Sequence, residues 1–155
     1  MRPSLAPQGA TPIDAAHAAT RDTVPMRSVQ QGPRFDVQLA YPAEVLRVIH
    51  GDTFEARVRV WPGLDVNTKV RLCNVDAPEL HARCADEYVR AEAARAALET
   101  ILAAGSITIS RVGIDKYGGR VDALVATRDT ADVSPALLNG GWARSYDGGR
   151  RGTWC

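Results

Sequence analysis

The chain has 155 residues, 45% of them hydrophobic and 24% charged, and 19 Lys and Arg against 18 Asp and Glu leave a formal charge of +1. That profile is the profile of one globular domain and excludes a low-complexity chain. No run approaches the roughly 20 apolar residues of a membrane span, so no membrane partner is expected, and a total charge this small leaves any nucleic-acid surface to local clustering.

Residues 1–34 carry five of the nine prolines, Pro3, Pro7, Pro12, Pro25 and Pro33, and no apolar periodicity. They read as a mostly disordered arm, with a folded domain over 35–155. The arm lacks an apolar leader core, so export is not encoded in the sequence as it stands. Val45 to Ile49 reads as a first strand, closed by the turn His50-Gly51-Asp52. Phe54, Ala56, Val58 and Val60 then alternate with charged residues, and Val66, Thr68, Val70 and Leu72 alternate again after Trp61-Pro62-Gly63. This is the two-residue period of a half-buried hairpin.

Beyond Pro78, the spacing of Ala91, Ala94, Leu98, Ile101 and Leu102 predicts a helix from Asp86 to about Ala103, with Gly105 as its stop. Ser106–Val112 and Arg120–Thr127 read as two further strands about the turn Asp115-Lys116-Tyr117-Gly118-Gly119. A short helix over Val133–Asn139 follows, capped by Asp132 or Ser134, and 146–155 reads as loop. Five strands with a helix after the third and another after the fifth fit a five-stranded OB-type barrel.

The three cysteines lack zinc spacing. Cys73 reads as a small core residue; Cys84 and Cys155 stay open between free thiols and a disulfide. From Arg111 onward seven Lys or Arg face five Asp, a modest basic lean.

Taken singly, Asp52 is a turn residue, Arg71 an outward strand residue and Asp76-Ala77-Pro78-Glu79 another turn. Taken in order, Gly51-Asp52-Thr53, Arg71-Leu72-Cys73-Asn74-Val75-Asp76-Ala77-Pro78-Glu79 and Asp115-Lys116-Tyr117-Gly118-Gly119-Arg120 resemble the three active-site blocks of the staphylococcal nuclease (thermonuclease) family. The resemblance covers about 44–146. It implies a metal-dependent, sugar-nonspecific endonuclease acting on DNA and RNA, monomeric by default.

The resemblance further implies a Ca2+ site from the carboxylates of Asp52 and Asp76 and the main-chain oxygen of Ala77, where the family usually has threonine. An all-oxygen set suits that hard ion. Glu79 is implied as general base, and Arg71 and Arg120 as the phosphate clamp, a role that the planar guanidinium fork suits and lysine does not. Lys116, Tyr117 and Tyr146 are implied as substrate-binding residues. Three departures stand out: His50 where the family often has aspartate, an extra glycine before Arg120, and a longer hairpin between Asp52 and Arg71. The alternative reading is a non-catalytic barrel that binds nucleic acid or protein.

Overall fold

The computed structural model describes Gly9 and residues 39–155; the expected arm lies outside the described residues. Five strands close a barrel in the order β1-β2-β3-β6-β5: β1 Ala40–His50, β2 Thr53–Trp61, β3 Leu64–Leu72, β5 Ile107–Ile114 and β6 Arg120–Ala126. Four of the five seams are antiparallel. The closing seam, β3 on β6, is parallel and runs from Lys69 beside Arg120 to Leu72 beside Ala123. Closure of this kind leaves no free sheet edge.

Inward side chains of the alternating strands, Phe54, Ala56, Val70, Leu72, Ile109, Ala123 and Val125, fill the barrel. Helix α1 (Ala85–Leu102) covers it with Ala91, Ala94, Leu98 and Leu102, a narrow stripe of two alanines and two leucines at helical spacing. Its N-cap, Cys84, makes no side-chain capping bond; Glu87 in the first turn instead accepts from the backbone N–H of Arg83, just ahead of the helix, at 2.8 Å. Helix α2 (Val133–Asn139) is capped by Asp132, which accepts from Ser134 N. Among the described residues no helix is long and apolar enough to cross a membrane.

Several expectations need correction. The first strand begins at Ala40, not Val45, because Pro42 sits where β1 pairs with β5 alone and its missing N–H costs no bond to β2. Val60 and Val66 alternate correctly yet stay exposed, since the outer hairpin projects past the point where a third strand flanks it. Cys73 is half-buried at the end of β3, not a core residue. A two-stranded ladder of β4 (Val75–Asp76) and β7 (Arg144–Ser145) was absent from the sequence reading. The 146–155 segment is irregular, as expected, and Cys84 and Cys155 are joined as a disulfide.

Candidate functional site

The site begins where β1 turns into β2. Gly51 lies so close to α1 that an added Cβ would meet the Ala94 Cβ at 2.6 Å, and only glycine lets the turn settle there. Asp52 is thereby buried. Its Oδ1 accepts from Thr53 Oγ1 at 2.8 Å, its Oδ2 accepts from the backbone N–H of Ala77 at 3.2 Å, and Arg71 Nη2 stands 3.7 Å from that same oxygen. One carboxylate thus ties the first turn to the strand end and to the segment after β4.

Asn74 takes the left-handed conformation, φ 66°, that ends β3 and swings the chain into β4. Arg71 Nη2 donates to Val75 O at 3.1 Å across this bend. Asp76, 1% exposed, is paired through the β4–β7 ladder with Arg144, whose Nε and Nη2 donate to its Oδ2 at 3.1 and 2.8 Å. Trp154 Nε1 donates to the same oxygen at 3.3 Å, and Arg144 stacks on the Trp154 ring, 4.3 Å from its centroid. Glu79 is exposed at the rim.

A cavity beside this acidic group holds Arg71, Arg120, Lys116, Tyr117 and Tyr146, together with Asp115 and Asp122. Both glycines of the turn, Gly118 and Gly119, have φ 69°, which absorbs the one extra residue and leaves Arg120 in the cavity. Arg120 Nε donates to Asp115 Oδ2 at 2.8 Å, and the Arg120 and Lys116 cations lie 5.4 and 5.0 Å from the Tyr117 ring centre. Arg71 lies 5.2 Å from that of Tyr146. Burial opposes ionisation of Asp115, but the N–H of Tyr117 and the guanidinium of Arg120 hold its carboxyl below the usual range. Asp122 goes the other way. Burial, then the charge of Asp115, pushes its carboxyl up.

The nine residues expected from sequence are therefore gathered in two adjoining compartments, Asp76, Ala77 and Glu79 lining the acidic one, with Asp52 buried behind it. What sequence reading missed is that Arg144 binds Asp76 and that Arg151 lines the acidic compartment. Arg151 Nε is 3.2 Å from Asp76 Oδ1, and its Nη1 pairs with Glu79 Oε1.

A family model described as staphylococcal nuclease homologue matches residues 69–152, more than half of the chain. The chain belongs to the staphylococcal nuclease homologue family. No curated protein matches it significantly. The family match begins at Lys69, so it covers Arg71, Asp76, Glu79 and Arg120, while Asp52 joins the site through its contacts with Arg71 and Ala77.

Calcium, the ion implied for staphylococcal nuclease homologues, meets a donor set of suitable chemistry here. Asp76 Oδ1 is buried without a hydrogen-bond partner, as is His50 Nδ1 beside the Gly51 turn. Asp76 Oδ1 has the Arg151 guanidinium 3.2 Å away as its counter-charge, and a buried carboxylate oxygen balanced by a cation is of the kind that suits a hard metal ion. Among the described residues the acidic trio is not drawn into a tight cluster; the group that is, Cys84, Glu87 and Cys155, has its two sulfurs bonded to each other.

Proposed function

We propose that this chain is a Ca2+-dependent, sugar-nonspecific endonuclease that hydrolyses phosphodiester bonds of DNA and RNA. The reading is supported by the 3.7 Å approach of Arg71 to Asp52, with Asp76 and Glu79 lining one compartment and Arg71 and Arg120 the cavity that adjoins it. Calcium would be held by the carboxylates of Asp52 and Asp76 and the main-chain oxygen of Ala77, and when bound it would supply positive charge against the charge that develops on the phosphate. Arg71 and Arg120 bind and orient the scissile phosphate through paired N–H donors. Glu79, at the exposed rim, takes the proton of the attacking water. Lys116, Tyr117 and Tyr146 line the way in and hold the flanking nucleotide by charge and by ring stacking. Such contacts read backbone and ring faces, which is why neither sugar nor sequence would be selected.

Incubation of single-stranded DNA and RNA with calcium, and in parallel with chelator, tests the reading. Cleavage of both in calcium alone is the expected outcome. Glu79→Gln is expected to lower turnover by at least about a hundredfold, the lower range for loss of a general base, with nucleotide binding retained. Full activity in that variant removes Glu79 as the base. One observation favours the alternative of a binding module: Arg151 already satisfies Asp76 and Glu79. A chain that never released it would bind nucleic acid equally well in calcium and in chelator, and would not cut.

A further inference from the structure

The segment after β7 is attached to the site far more firmly than its burial accounts for. From Asp147 to Cys155 only Trp154 is half-buried, and every other residue is exposed. Apolar packing therefore contributes little to holding it. Its position comes from a few directed contacts. Arg144 donates from Nη2 to Gly152 O at 2.6 Å and from Nη1 to Thr153 O at 3.0 Å, Tyr146 OH donates to Gly149 O at 2.8 Å, and Trp154 reaches Asp76. The one covalent anchor is Cys84–Cys155, which fastens the segment to the residue just before α1.

The contacts deliver one charged group, the Arg151 guanidinium, to Asp76 and Glu79. Arg151 Nε stands 3.2 Å from Asp76 Oδ1 and its Nη1 pairs with Glu79 Oε1, so two direct ion pairs fix its seat. A monovalent cation supplied by the chain itself thus faces Asp76, one of the two carboxylates that would hold the divalent ion, and the two cations compete for it.

We infer that residues 147–155 form a disulfide-locked strap that seats Arg151 in the acidic compartment in place of the metal ion, and that reduction of Cys84–Cys155 frees the strap and admits the ion. The inference rests on the nuclease reading for the identity of the competing ion. The chemistry of opening is thiol–disulfide exchange with a dithiol reductant. One of its thiolates attacks a cysteine sulfur, and its second thiol resolves the mixed disulfide. The Cys84–Cys155 bond is lost, two thiols form on the chain, and the reductant carries away the two electrons as its own disulfide. Cys155 is exposed, so the attacking thiolate has access. Once the bond is cut, Gly148, Gly149 and Gly152 offer little resistance to the strap swinging away.

Calcium affinity, measured by calorimetry on the full chain without substrate, tests this in the oxidised form, after dithiothreitol, and in Arg151→Gln, Cys155→Ser and Arg150→Gln. Arg150 carries the same charge one residue away, so its variant separates seating in the site from a general change in net charge. The expected result is binding about tenfold or more tighter in Arg151→Gln, in Cys155→Ser and in the reduced chain, and within about twofold of the oxidised chain in Arg150→Gln. Reduction should add nothing once Arg151 is gone. Equal affinity in the oxidised chain and Arg151→Gln, with calcium-dependent cleavage intact, overturns the strap and leaves the nuclease reading standing. Absence of calcium binding from all five samples, with no cleavage, overturns both.

Discussion

Asp122 shows how one residue can set the charge of the phosphate cavity. It stands on β6 beside Asp115, with Oδ1 buried and unpartnered, in a cavity that also contains Arg71 and Arg120. Burial and then the neighbouring Asp115 raise its folded pKa, while in the unfolded chain it titrates near 3.9. Below that unfolded value the carboxyl is neutral in both states and costs nothing; between the unfolded and the raised folded value the fold keeps a proton that the unfolded chain has shed, so stability falls across that interval and levels off above it. Asp122→Asn should therefore equal the parent in stability at about pH 3.5 and exceed it increasingly as pH rises across that interval, as chemical denaturation across pH would show. The same change removes a negative charge beside the two guanidiniums, so a nucleoside bisphosphate should bind several-fold tighter at low salt, and a pH-independent stability difference would contradict the account. No sequence signal pointed to Asp122. Arg71, Glu79 and Arg120 were legible because their spacing around Asp76-Ala77-Pro78 and the Gly118-Gly119 turn forms a recognisable order, whereas Asp122 lies in plain strand alternation and becomes distinctive only when β3 and β6 are side by side.

At the scale of elements, period and turn chemistry made β2, β3, α1 and α2 legible to within a residue or two, since each has a buried face that its sequence must mark. The β4–β7 ladder was not, because two residues a side are too few to show a period. Nor could alternation reveal that β3 meets β6 in parallel, as inward and outward positions repeat in the same way in either direction. These two unseen pairings are what bring Arg144 onto Asp76 and Arg120 near Arg71. The contact between the Asp52 turn and α1 is the third such junction, and it can be tested by a single methyl group. In Gly51→Ala the new Cβ would lie 2.6 Å from the Ala94 Cβ, 3.0 Å from the Ala77 Cβ and 3.1 Å from the Ala94 carbonyl carbon. Backbone and short side chains on both sides leave nothing flexible to yield, so the turn must move off the helix. Urea denaturation should show a loss of about 1–3 kcal/mol, the usual range for overpacking. Calcium binding should weaken as well, because Asp52 is the next residue and moves with the turn. A variant as stable as the parent would mean that α1 shifts instead.

For the whole molecule, the feature that joins barrel, helix and site is the Cys84–Cys155 bond between residues 71 apart in sequence. The sequence left it open, and with it the place of Arg151, which counted only toward a basic lean. The two were linked all the same: Cys84 follows Glu79 by five residues and Cys155 follows Arg151 by four, so pairing the cysteines brings Arg151 toward Glu79. A cross-link over a loop of this length removes about 4 kcal/mol of chain entropy from the unfolded state. The folded state responds to its loss too. With the bond cut, the exposed strap regains freedom, and that gain offsets part of the benefit, so reduction should lower global stability by less, about 2–3 kcal/mol. The barrel itself should persist, since its core of Phe54, Leu72, Leu98, Ile109 and Leu137 lies entirely outside the strap. Denaturation with and without dithiothreitol measures the first expectation, and amide hydrogen exchange the second, with new exchange confined to about residues 146–155 and the neighbouring β4–β7 ladder. Exchange spreading into β2 and β3 on reduction would mean that the bond supports the barrel, and the strap would then be a structural brace and not a removable occupant of the acidic site.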